Sequence, residues 1–192
     1  MISDVLKTET ACHHEAIENA RRLIRLGSDD FSKDEYIDVL EKFYGFYQPL
    51  ERAFGMHTEV MAALDYNQRF KLPLLQKDLI LFGHTPDSLS RLRECEDLPP
   101  TETTGQVLGS IYVMEGSTHG SQFIAKRLRA HFNLEDEGVT FYQGYGKDTM
   151  SQWKKFKTYL DQEISQKGEG EAEAVVHAAA ETFKALHRWM DQ

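Results

Sequence analysis

The sequence predicts an all-α, single-domain fold, on three observations. Apolar residues recur at spacings of three and four along most segments, helix start and stop signals sit where those patterns begin and end, and no alternating apolar/polar run competes as a strand. A chain of 192 residues is long enough to bury one core without staples. The periodicity yields about eight helices of unequal length.

The first helix is predicted from Ser3 or Asp4, as N-cap, to about Leu26, with Gly27 as its stop. Val5, Leu6, Cys12, Ala16, Ile17, Ala20, Leu23 and Ile24 make its apolar arc; His13 lies near the middle of that arc and His14 towards an edge. Ser32 and Glu35 form a capping box for the second, which runs through Tyr36, Leu40, Phe43, Tyr44, Tyr47 and Leu50 and is bent by Pro49. Such aromatic density suits a large core contact or a pocket wall. Thr58 to Leu64 is a short helix at best. Arg69 to Leu81 is a further helix with Pro73 in its first turn, and Thr85-Pro86 opens a short one through Leu92. Leu98-Pro99-Pro100 is a loop inside one domain, since neither flank looks able to build its own core.

Thr101 to Thr104 caps a helix that runs through Leu108 to Phe132 and carries Gly109, Gly116 and Gly120 in its interior. Each interior glycine costs about 0.5–1 kcal/mol relative to alanine. Gly116 and Gly120, four apart, leave a strip without side chains on one face, flanked by Tyr112, His119 and Phe123. The strip fits either a closely packed helix or a flat ligand lying against backbone. After a mixed connection from Asn133 to Gly146, a helix from Thr149 to about Gln166 places Trp153, Phe156, Tyr159, Leu160 and Ile164 at helical spacing. A turn at 167–170 leads to the last helix, Ala172 to Met190. Trp153, Phe156 and Phe183 read as core, while Lys154, Lys155 and Arg188 read as solvated surface.

The net charge of −9 excludes a non-specific grip on nucleic acid or an anionic membrane, which needs a basic footprint. No apolar run approaches the ~20 residues of a membrane span, and the acidic amphipathic start is unlike a signal peptide. Cys12 and Cys95 form neither a metal cluster nor a disulfide framework, which points to a reducing cytoplasm. Adjacent His13 and His14 point about 100° apart on a helix and cannot easily share a small metal ion. Glu115 precedes His119, and Glu173 precedes His177, by four rather than the three of a di-iron bundle. Phosphate-cradling loops and nucleophile elbows are missing as well. What remains is a pocket between two helices, an imidazole on one wall and bare backbone on the other, as heme requires of an all-helical protein.

The stretches LKTETACHHEAIEN, RFKLPLLQKDLILFG, LGSIYVMEGSTHGSQ and FYQGYGKDTMSQWKKF resemble the heme oxygenases over nearly the whole chain, particularly the bacterial ones often associated with biliverdin-using phytochromes. The resemblance implies the all-helical heme oxygenase fold and an activity in which heme, both cofactor and substrate, is opened by O2 and electrons from an external reductant to biliverdin, carbon monoxide and ferrous iron. It makes His14 the iron ligand, whereas periodicity alone prefers His13. It implies a propionate partner at Lys7 and close backbone approach at Gly116 and Gly120. Ser117 falls where animal enzymes have a water-organising aspartate. Tyr112, Ser121 and Phe123 fall beside the ring, and Lys154, Lys155 and Arg188 become candidates for propionates or for the electron donor.

Two positions depart from the family pattern: His119 replaces an aliphatic residue, and Ser121 a glycine or alanine. His119 either strengthens proton delivery or acts as a second iron ligand, and the second case would make the protein a non-degrading heme carrier or sensor. A ferredoxin, flavodoxin or reductase is the implied electron donor. Monomer and dimer are both compatible with the sequence.

Overall fold

Helical spacing is realised from end to end in the structure, a computed structural model describing residues 1–192. Twelve α-helices and two short 3-10 turns follow one another with no strand.

The expected first helix is three: α1 (Ile2–Glu9), α2 (Ala11–Glu18) and α3 (Arg21–Arg25). Thr10 breaks it first. Its hydroxyl donates to the Leu6 carbonyl at 2.7 Å and its backbone leaves the helical region at φ −101°, ψ 2°. Ala20, at ψ 138°, makes the second corner. The buried arc also differs from the expected one: Leu6, Thr10, Ile17 and Ala20 face inward, whereas Val5, Cys12 and Ile24 are exposed. Ser3 is not the N-cap. Its amide and hydroxyl both donate to Asp161, at 2.9 and 2.8 Å, and so dock α1 on the eleventh helix.

α4 (Lys33–Phe54) starts at the predicted Ser32–Glu35 capping box and runs through Pro49. Proline there removes the N–H that would bond the Gly45 carbonyl. The Cys95 amide replaces it at 2.9 Å, and the missing side chain at Gly45 lets this strand of loop, at Arg93, cross the helix. α5 (Thr58–Ala63), α6 (Leu72–Leu81, with Pro73 in its first turn) and α7 (Pro86–Leu89, capped by Thr85 and Ser88) follow. α8 (Thr104–Gly116), capped by Thr103 and Gln106, leads to α9 (Thr118–Phe132). In the connection after α9 lies one turn, α10 (Thr140–Gln143), whose first amides donate to buried Asp78. α11 (Thr149–Lys167) and α12 (Glu169–Asp191) complete the chain.

A single apolar cluster of 41 buried residues draws on both sides of Pro99-Pro100, so that loop does not divide the chain. Its spine is α12, which packs along α8 and also against α1, α2 and α3. The α8–α12 seam is made of small residues: a side chain at Gly109 would overlap the Val175 carbonyl, and Thr182 donates to Ser110 at 2.9 Å within the seam. The helix that carries the candidate histidines and the helix that carries the glycines therefore stand on one support.

Candidate functional site

The interior glycines divide into two kinds. Gly105 and Gly109 sit against α12, where a Cβ would meet backbone atoms of Glu171 and Val175. Helix packing requires them. Gly116 and Gly120 are different: a Cβ at Gly120 would meet nothing within 4 Å, and one at Gly116 would make only an ordinary 3.7 Å contact with Trp153. Nothing in the chain lies close enough to this strip to demand glycine.

The expected continuous helix is interrupted at Ser117, between α8 and α9. The backbone stays in the right-handed region (φ −61°, ψ −22°) while side chains take carbonyls of the preceding turn. The Ser117 hydroxyl donates to Met114 at 2.8 Å, Thr118 to Glu115 at 2.6 Å, and the His119 Nδ1 faces the Gly116 carbonyl at 3.3 Å. Ser121 repeats the pattern on Thr118 at 2.8 Å. Glycine next to residues that bond back to their own helix is a recognised cause of a bend.

Around the strip, Tyr112 is buried, His119 is exposed, and Phe123 is 74% exposed, a large apolar ring in solvent on the strip's own face. Trp153, expected in the core, packs against it partly buried, with ring centroids 5.2 Å from both Tyr112 and His119. Lys157 lies over its face at 5.6 Å. Pocket wall and core share the same helical spacing, so only the neighbours of Trp153 reveal its place. Buried Tyr47 of α4 faces the Ser117 hydroxyl, which partly offsets the upward push of burial on its phenol.

Behind the bend is a charged cluster that no local pattern announces. Glu115, 1% exposed, accepts from Arg69 at 2.6 Å, Lys71 at 2.9 Å and the Tyr145 hydroxyl at 2.7 Å. Glu51 of α4 accepts from the Lys71 amide at 2.7 Å, and burial pushes its carboxyl up to about 7. In an unfolded chain that carboxyl ionises near 4.5. Between these values the native state holds the extra proton, so Glu51 contributes most below pH 4.5 and its contribution falls as pH rises to 7, by at most about 1.4 kcal/mol per unit. Melting temperatures measured across this range should decline less steeply in Glu51→Gln than in the parent; parallel curves would refute the assignment.

On the other wall, His14 projects from α2 with its side chain 56% exposed. Its Nδ1 faces Glu18 at 3.5 Å and its ring meets Phe183 of α12 edge-on at 5.8 Å. His13 is half-buried on the inward arc, where periodicity put it. Lys7 is exposed in the last turn of α1. Arg188 is committed to Asp97 at 2.6 Å, and Lys154 and Lys155 line a groove on the outer face of α11 with Ser151, Thr158, Tyr159 and Gln162.

The chain thus presents an exposed imidazole on α2, beside Phe183 of α12, and a glycine strip at the α8–α9 junction that no packing contact requires, features suited to a flat ligand. Comparison with known proteins gives that ligand class a name. The family model for Heme oxygenase matches residues 1–192, and the chain belongs to the heme oxygenase family, enzymes that degrade heme. A heme oxygenase of Xanthomonas campestris pv. campestris is 24% identical over 155 residues, 81% of this chain and 88% of the relative. The structure of heme oxygenase from Leptospira interrogans superposes with a TM-score of 0.80 at 19% identity, covering 99% of this chain and 98% of that one. Heme oxygenase-1 from the cyanobacterium Synechocystis sp. PCC6803, in complex with heme, gives 0.79 at 15% identity over 99% and 90%. No helix is long and apolar enough to cross a membrane.

Proposed function

We propose that this enzyme opens heme with O2 and electrons from an external reductant to give biliverdin, carbon monoxide and ferrous iron, with His14 as iron ligand and the Gly116–Gly120 strip against the opposite face of the ring. The observation that carries the reading is the pair of glycines that no packing contact in the protein requires, where alanine would favour the helix. Bound heme supplies an iron that activates O2 and, in the same molecule, the carbon skeleton that is oxidised.

The residues have separable tasks. With Nδ1 facing Glu18 at 3.5 Å, His14 leaves Nε2 to hold the iron. Gly116 and Gly120 admit the ring plane to backbone contact, and Tyr112 and Phe123 supply apolar surface beside it. Lys7 offers an ammonium to a propionate. The Ser117 hydroxyl donates to Met114 and keeps its lone pairs to accept from a water, so that a proton is held at the bend; His119 and Ser121 border the same place. What weighs against a carrier closed by His119 is that its ring packs edge-on against Trp153, since the Nδ1 contact with Gly116 leaves Nε2 free. A ferredoxin, flavodoxin or reductase fits as electron source, and a biliverdin-using phytochrome as consumer of the product.

The test is a visible-spectrum time course of the protein with one equivalent of hemin, O2, reductant and catalase. The Soret band should form at one to one and then decay as a biliverdin band grows. A Soret band that persists under efficient reduction would leave only heme binding. In His14→Ala, turnover should fall by more than about 100-fold, the upper range for losing merely an outer partner of a metal ligand. Added imidazole should restore part of it, and His13→Ala should turn over normally. The reverse pattern for the two histidines would move the ligand to His13.

A further inference from the structure

His119 is the chain's departure from the family pattern nearest the bare strip, and the structure shows what its imidazole does. Nδ1 faces the Gly116 carbonyl at 3.3 Å, and the ring stands at 76° to Trp153 with centroids 5.2 Å apart. The residue is otherwise exposed, so Trp153 is the one aromatic surface it packs on. Trp153 itself is fixed on several sides: stacked on Phe156 at 5.7 Å and 24°, tilted against Tyr112 at 5.2 Å, and covered by the Lys157 ammonium. Tryptophan is thus the rigid member of the pair and histidine the dependent one.

We infer that Trp153 is a positioning residue that parks His119 at the rim of the site and so keeps the second axial position of the heme iron free for O2. The inference rests on the heme reading above and deepens it. An imidazole one turn from Gly116 is a strong ligand placed close to a metal; a site that admits O2 has to give that imidazole somewhere else to be. Hydrogen bonding Nδ1 to backbone orients the ring, but a 3.3 Å contact at an exposed position is weak, and the edge-to-face contact with Trp153 supplies the rest of the hold. This pairing lets a histidine occupy the strip's flank without closing the site.

The test compares ferric heme complexes of the parent, Trp153→Ala, Trp153→Leu, Trp153→Phe and the Trp153→Ala/His119→Ala double variant by absorption and electron paramagnetic resonance. The parent should hold exchangeable, water-bound iron. Trp153→Ala and Trp153→Leu should shift the ratio of exchangeable to low-spin bis-histidine iron about two- to tenfold towards bis-histidine, the range of one aromatic pair. Azide binding should weaken in step with the lost exchangeable fraction. Trp153→Phe, which keeps an aromatic edge, should stay closer to the parent, and the double variant should return to exchangeable iron. Without heme, the ring-current shifts of the His119 imidazole protons should vanish in Trp153→Leu. Bis-histidine iron in the parent, or a ratio unmoved in both the Ala and Leu variants, would overturn the inference while leaving heme binding intact. Failure of the parent to take up hemin would instead overturn the heme reading; unshifted His119 protons in the heme-free parent would then sink the pairing separately. If Trp153→Ala does not fold, Trp153→Leu, which keeps the bulk, decides.

Discussion

Glu115→Ala is expected to cost about 3–5 kcal/mol of stability, the range for removing one partner of a buried ion pair. Arg69, Lys71 and Glu115 are each at most 5% exposed along their side chains, and both cations are satisfied mainly by this carboxylate. Deleting it leaves two buried positive charges with Glu51, whose carboxylate already accepts from the Lys71 and Leu72 amides, as the nearby acid. For a chain of this length the loss corresponds to about 6–20 °C in melting temperature. Arg52→Ala, which breaks the exposed Arg52–Glu94 pair, should cost no more than about 1 kcal/mol. Thermal unfolding of both variants beside the parent checks the contrast; a Glu115→Ala protein within 1 kcal/mol of the parent would mean the cluster is compensated by water or by proton uptake. Because Glu115 immediately precedes Gly116, and its partner Tyr145 lies in the connection leading to α11, loss of the cluster should also loosen the bend and the rim together.

What could be read from sequence was local, and what could not was not. The Ser32–Glu35 box started α4 where expected, and Pro73 lies in the first turn of its helix as expected, because each signal acts within one turn, although that helix begins at Leu72 rather than Arg69. The breaks at Thr10 and Ser117 escaped for a related reason: threonine and serine are tolerated inside helices, and whether their hydroxyls bond back strongly enough to end one depends on what the next segment packs against. α4 runs on through Pro49, and a distant amide, Cys95, takes the Gly45 carbonyl that the proline leaves free. Arg69, Lys71 and Glu115 are ordinary charges until the chain brings positions 44 and 46 residues apart into contact. At the candidate site, the glycine strip and His119 could be located from spacing, but spacing could not say which glycines a helix covers or that Trp153, packed on the core, also reaches His119.

That last distinction yields the other large effect. Gly109→Ala should destabilise the protein by about 3 kcal/mol or more, because the new methyl would overlap the Val175 carbonyl and crowd the Ala179 nitrogen at 3.0 Å, and backbone on both sides cannot yield as a side chain would. Gly120→Ala faces no such atom, and should stabilise the protein by about 0.5–1 kcal/mol through helix propensity alone. Its cost should fall wholly on function: a methyl between backbone and ring is an overpacking penalty paid only when heme is bound, about 1–3 kcal/mol, or roughly 5- to 100-fold in heme affinity. Unfolding curves and hemin titrations of the two variants separate these claims. A destabilised Gly120→Ala would mean that some part of the chain does approach the strip. A stabilised Gly120→Ala with undiminished heme affinity would mean the ring lies elsewhere. A variant more stable and less competent than its parent is what a glycine kept for a ligand, against the preference of its own helix, must produce.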